Sequence, residues 1–257
     1  MKILKKLVLI SAIFSASIMI ANISHAKDDK GHAVHWGYEG ECGPDHWGDL
    51  GEEYAICKTG NRQSPVGITI TEKADLDSII FNYYSTPLKI INNGHTIQVN
   101  YGSGSYISIG QKRYQLVQFH FHSPSEHKIN GHAYDMVVHL VHKGDDGKLA
   151  VIGVLMNTGK GNDLINTLWK NLPKEQGKVI SVEGVKINAK QFIPADTRYY
   201  NYPGSLTTPP CKEIVNWFVL KTPIEVSNDQ VNKFTSIFSK SVRPIQPLHG
   251  RVVKESR

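Results

Sequence analysis

The chain has 257 residues, of which 40% are apolar and 20% charged, with 22 Gly and 12 Pro. That balance is globular; it excludes a collagen, a coiled coil, a disulfide-dense miniprotein and an intrinsically disordered chain. The formal net charge of +6 overstates the basic character of the working protein, as the first segment shows.

Met1 to Ala26 reads as an export signal. Lys2, Lys5 and Lys6 precede an apolar run from Leu7 to Ala21, and Ser24-His25-Ala26 forms a small-x-small cleavage site. The run is about 15 residues, short of the roughly 20 that span a bilayer, and no later run matches it, so no stable membrane anchor is expected. Cleavage removes three lysines and no acid, which lowers the net charge from +6 to +3; charge therefore gives nucleic acid no support as a partner. The mature chain is expected to start near Lys27, in the periplasm or outside the cell. Residues 27–35 read as a mobile tail and 36–257 as a single domain large enough for a proper core.

Cys42, Cys57 and Cys211 remain after export. An oxidising compartment favours one bridge and leaves one thiol, and spacing alone allows all three pairings.

From Ser78 onward the pattern is strand after strand: Ser78 to Tyr84, Leu88 to Asn92, Thr96 to Tyr101, Ser105 to Ile109, Tyr114 to His122, Tyr134 to His142 and Leu149 to Met156. These β-branched and aromatic runs are cut by turn residues such as Asn93-Gly94 and Asn130-Gly131. Two helices are expected, Asn162 to Asn171 and one opened by the capping box Ser227-Asn228-Asp229-Gln230 and running over Val231 to Phe238, with a strand from Glu213 to Lys221 between them. Helices are too few to cover a sheet as regular βαβ units. The expected fold is α+β, mainly β: a large twisted, mostly antiparallel central sheet with a few short surface helices.

The histidines carry the chemistry. In Gln118-Phe119-His120-Phe121-His122 a strand sends Gln118, His120 and His122 to one face and both phenylalanines into a core on the other. Seventeen residues later Val137-Val138-His139-Leu140-Val141 is a second strand; as a neighbour reached by a tight return, it completes a three-nitrogen face. A lone His-x-His is more often a surface or hydrogen-bonded pair, but the alternation and the third histidine change that reading. Three neutral histidines with an open fourth position are the ligand set of a catalytic zinc, and the chemistry expected is water activation. His32, His35, His46, His132, His142 and His249 read as surface or structural.

At this point the sequence resembles the α-class carbonic anhydrases. The resemblance rests on Gln118 to His122 and His139-Leu140-Val141-His142. It extends to His35-Trp36-Gly37-Tyr38, Gly43-Pro44-Asp45-His46-Trp47, Arg62-Gln63-Ser64-Pro65-Val66, Asn92-Asn93-Gly94-His95, Ser125-Glu126-His127, Gly204 to Pro210 and Arg243 to Leu248, in the family's order. It implies a zinc on His120, His122 and His139 and the reversible hydration of carbon dioxide to bicarbonate and a proton, with zinc hydroxide as nucleophile. Thr207 would orient that hydroxide and donate to Glu126. Gln118 would accept from His120, with Thr208 beside it. Val141, Val151 and Leu206, backed by Trp217, would form the apolar rest for carbon dioxide. His95 matches the proton shuttle, with Tyr38, Asn93 and Gln98 near its water chain.

The resemblance also implies a Cys57–Cys211 bridge, whose closed loop of 154 residues contributes roughly 4 to 5 kcal/mol by chain entropy. Cys42 is left over. Related bacterial enzymes are often dimers, so a homodimer is an expectation by analogy. The rival readings are a carbonic-anhydrase-like binding module without catalysis and a zinc esterase. One departure stands out: the family usually carries a glutamate two residues before the third ligand, and here that residue is Val137.

Overall fold

The structure is a computed structural model that describes residues 35–257. The expected signal over 1–26 and all but the last residue of the tail over 27–35 lie outside the described residues. No helix among the described residues is long and apolar enough to cross a membrane.

The described chain opens on single turns of 3-10 helix at Gly40–Cys42, Trp47–Asp49 and Glu52–Tyr54, and then a four-residue helix α1, Ile56–Thr59. Trp36, Trp47 and Tyr54 are buried here against Cys57 and Cys211, forming a small apolar cluster. Trp47 is anchored by its indole N–H, which donates to the carbonyls of Gly37 and Cys42.

The strands follow. β1 (Gly67–Ile68), β2 (Glu72–Ala74), β3 (Ile79–Asn82), β4 (Thr86–Asn92), β5 (Ile97–Asn100) and β6 (Tyr106–Ile109) lead to the long β7 (Lys112–His122). Next come β8 (Lys128–Ile129), β9 (His132–Ala133), β10 (Met136–Gly144) and β11 (Leu149–Thr158). After α2 (Asp163–Lys170) the chain adds β12 (Ile180–Ile187), β13 (Tyr199–Gly204), β14 (Val215–Leu220), β15 (Ile224–Val226), α3 (Asn228–Thr235) and β16 (Lys254–Ser256).

A 13-stranded sheet runs β12-β4-β5-β7-β10-β11-β14-β13-β16-β2, with β6 attached to β7, β3 to β6 and β15 to β11. Most pairings are antiparallel, as expected, but β11 pairs parallel with β14 and β15, and β16 with β2. The connection from β7 to β10 is not a tight return: it carries β8 and β9, which form a separate three-stranded sheet with β1, β8 lying between the other two. The two long strands are neighbours nonetheless.

Alternation divides the two faces. Met136, Val138 and Leu140 of β10 enter the large core with Phe119, Phe121 and the stripe Leu164, Ile165 and Leu168 of α2. Val137 and Val141 belong to the smaller core with Val151, Trp217 and Leu206. Both helices are capped, the second by the expected capping box. Asn162 Oδ1 accepts from Ile165 N, and Ser227 and Gln230 bond reciprocally. The second helix ends three residues early, although Phe238 stays buried. β12 and β13 were not expected. β12 is a mostly exposed edge interrupted by Gly184 at φ 72°, and β13 ends in Pro203-Gly204, a pair that reads as a turn.

Candidate active site

Cross-strand register builds the site as adjacent rows. One row aligns Asn100, Gln118, Val141, Val151, Trp217 and Tyr202. The next aligns Gln98, His120, His139, Gly153 and Val219, and the third places His122 beside Val137 and Leu155. His120 and His139 are thus directly opposed, and His122 lies one step along the same face, because side chains two apart on a strand share a face.

The His120 and His122 rings are each held at Nδ1, so that Nε2 is left for the centre. His120 Nδ1 donates to Gln118 Oε1 at 2.8 Å, which leaves Nε2 bare. His122 Nδ1 donates to the carbonyl of Ser241, and its Nε2 is buried without a partner. That Nε2 is 3.5 Å, and His139 Nδ1 3.8 Å, from the same oxygen, Glu126 Oε2. The three residues offer ligand atoms within 4.8 Å of one another. Burial, and next the neighbouring His122, push the His120 and His139 imidazoles well below their usual range, so both rings are neutral, the form that binds a metal. Three imidazole nitrogens facing one centre, one of them a buried atom with no hydrogen-bond partner, fit a divalent metal of borderline softness such as zinc.

Glu126 is buried. Burial raises its pKa, opposed by His122, the Arg243 backbone N–H, the Thr207 hydroxyl and the Arg243 charge. Its Oε1 accepts from Arg243 N at 3.0 Å. The loop that carries Leu206, Thr207 and Thr208 is framed on both sides. Ser64 and Ser205 exchange backbone-to-hydroxyl bonds of 2.9 and 3.0 Å, and the Trp217 indole donates to Ser205 O at 3.0 Å. Gly204 allows this approach, since a Cβ there would stand 2.8 Å from Trp217 Cδ1. The Arg243 guanidinium ties Gln63, Ser64 O and Cys57 O together, and Gln63 donates to Cys211 O. Cys57 and Cys211 are bridged, and Cys42 keeps a free thiol.

His95 stands in a turn braced by Asn93, whose Oδ1 accepts from His95 N and Thr96 N. Its ring stacks on Trp36 with centroids 3.6 Å apart and planes 9° apart. Tyr38 packs edge-on to His95, and its hydroxyl is buried; burial, and then Glu126, raise its pKa. Gln98, opposite His120, donates to Asn100 Oδ1. Val141, Val151, Leu206 and Trp217 share one apolar cluster beside the histidines. His35, His46, His132 and His249 are exposed, whereas His142 is a core residue bonded at both nitrogens, to Tyr83 and Ala150 O.

Sequence reasoning gave no role to three further groups. Ser241 supplies a backbone carbonyl, for which no residue type gives a signal. Arg243 was part of a recognised motif without a function. His127, next to Glu126, is fully buried and bonds the Tyr202 hydroxyl at 2.7 Å; burial, then His122, push its ring down to about 3.

A three-histidine cage on the face of a large sheet, beside a hydroxyl–carboxyl pair and an apolar wall, is the kind of site that a mononuclear metal enzyme uses. Residues 42–257 match the family model for eukaryotic-type carbonic anhydrase. A carbonic anhydrase from Nostoc sp. is 44% identical over 87% of this chain and 86% of its own length. A hyperthermostable carbonic anhydrase from a hydrothermal vent chimney superposes with a TM-score of 0.84 at 49% identity, covering 87% of this chain and all of that one. The carbonic anhydrase of Thermovibrio ammonificans, solved with sulfanilamide, gives 0.83 at 42% identity and covers the same shares. This chain belongs to the eukaryotic-type, or alpha, carbonic anhydrase family.

Proposed function

We propose that the protein is an exported zinc enzyme that interconverts carbon dioxide and water with bicarbonate and a proton. The observation that carries this reading is the convergence of His120, His122 and His139 beside both a polar pair and an apolar wall. The three histidines would hold the zinc. When bound, the metal supplies the Lewis acidity that brings water to a pKa of about 7, a magnitude for which carbonic anhydrase is itself the standard example.

The protein's own groups supply the rest. Gln118 and the Ser241 carbonyl fix the tautomers of His120 and His122. Thr207 accepts a hydrogen bond from the attacking water species and donates its own proton to Glu126, so the reacting lone pair faces the substrate. Val141, Val151 and Leu206, with Trp217 behind them, offer carbon dioxide a dry surface, and Thr208 lies on the polar rim. His95 receives the released proton and passes it to buffer, with Tyr38, Asn93 and Gln98 around the route. The bridged cysteines agree with an oxidising compartment, and an export signal over residues 1–26 would send the enzyme to the periplasm or out of the cell.

Stopped-flow hydration with a pH indicator tests the reading. The parent protein should hydrate carbon dioxide, a chelator should stop it, and His120→Ala should abolish it. A folded parent without hydration activity would favour a binding module, and ester hydrolysis without hydration would favour an esterase.

A further inference from the structure

Two nitrogens next to the metal centre are sealed from solvent and have no partner among the described residues: His139 Nε2 and His127 Nδ1. Leaving a buried polar atom unpaired costs about 1–3 kcal/mol, so a pair of them on neighbouring rings calls for an explanation. The residue on β10 that shares a face with His139, two positions earlier, is Val137, which is completely buried and offers only methyl groups. It packs in the same small core as Tyr202 and Trp217, and the His127 ring also lies against Trp217, with centroids 4.8 Å apart.

The proton inventory of the two rings is complementary. His139 turns Nδ1 toward the centre, where it must be bare to bind a metal, so Nε2 carries the hydrogen and is a donor. On the other side the Tyr202 hydroxyl donates to Ser64 Oγ at 3.0 Å, an oxygen that also accepts from Ser205 N. Tyr202 therefore accepts from His127 Nε2 at 2.7 Å, and His127 Nδ1 is left a bare acceptor. The ring centroids of His127 and His139 are 6.2 Å apart. With each nitrogen about 1.2 Å from its centroid, the two come no closer than about 3.8 Å, too far for a direct bond of roughly 2.7–3.2 Å but within the span of one water.

We propose that His127 is the positioning residue of His139, acting through one buried water that accepts from His139 Nε2 and donates to His127 Nδ1, with the chain Tyr202–Ser64 fixing the His127 tautomer. A water fits because it both donates and accepts; an anion needs two donors at this point and finds one. The arrangement gives His139 the orientation that a hydrogen-bond acceptor on Val137 would otherwise provide. It rests on the reading of His139 as a zinc ligand.

Zinc release from the purified holoprotein to an excess of chelator, followed without any activity assay, tests this. Tyr202→Phe and His127→Phe should each speed release by about 10 to 100-fold, the usual effect of losing the partner of a metal-bound histidine. Val137→Glu, which supplies a direct acceptor, should slow release and make the Tyr202→Phe substitution nearly silent. Release rates in both phenylalanine variants within twofold of the parent would overturn the assignment. Nitrogen-15 shifts of the parent give a second test that needs no variant: His127 should carry its proton on Nε2, and a proton on Nδ1 would overturn the assignment. A parent that retains no zinc at all would contradict the metal-centre reading instead, and the two failures are thereby distinguished.

Discussion

His95 is placed by its neighbours in two ways: Asn93 ties down the backbone of the turn, and Trp36 offers a flat face for the ring. Direct release of a proton from a group of pKa about 7 to water is limited to on the order of 10³ per second. His95→Ala should therefore pull turnover in weak buffer down toward that floor, and added imidazole should restore it; unchanged turnover in weak buffer would remove His95 from the proton path. The turn itself was legible in Asn93-Gly94, because that dipeptide encodes it locally. The Trp36 stack was not, since its partner lies 59 positions earlier and nothing in either segment announces the meeting. The same holds for His122, whose partner is a backbone carbonyl 119 positions away, and for His127, whose buried bond to Tyr202 spans 75 positions. Residue type betrays a ligand that must be histidine; it does not betray the carbonyl that orients it.

At the scale of elements, the critical feature is an irregularity in β7. Its pairing with β10 runs Gln118↔Val141 and then Leu116↔His142, so Val117 is an extra residue in the strand. The bulge lets Tyr114 and Leu116 enter the large core and, beyond it, Phe119 and Phe121 enter the same core. Without it, Gln118, His120 and His122 would change faces. The alternation from Gln118 onward was readable in sequence, and so were the strand and its neighbour. The break at Val117 was not, because two adjacent apolar residues read equally well as a buried run. On β10 the opposite face carries His142, whose ring is buried and pushed down to about 3, first by burial, with bonds to Ala150 and Leu140 partly opposing.

An unfolded histidine titrates near 6.5, so between pH 6.5 and 3 the unfolded chain binds the extra proton. The stability from neutral His142 is fully present above about pH 6.5 and lost as pH falls toward 3, by about 4–5 kcal/mol in total. Urea unfolding across this range should show His142→Gln less sensitive to acid than the parent, with about one proton fewer taken up on unfolding. Equal acid sensitivity would contradict this account of the buried ring.

The whole molecule holds its site between a rigid sheet and a loop brought from far along the chain. The sheet supplies three ligands and the apolar rows; the loop from Gly204 to Cys211 supplies Leu206, Thr207 and Thr208. That loop is locked by Ser64, Arg243 and the Cys57–Cys211 bridge, which closes a separation of 154 residues. Replacing both cysteines by serine should cost up to about 4–5 kcal/mol by loop closure, read as a lower urea midpoint, and hydration activity should fall with it; an unchanged midpoint would show that the bridge contributes nothing. Catalysis as proposed depends on the imidazoles of His120, His122 and His139, from β7 and β10, gripping a single zinc. Elemental analysis of the active mature protein tests it most directly. One zinc per chain, absent from a folded His139→Ala variant, is the predicted result; full hydration activity in material free of any transition metal would contradict it.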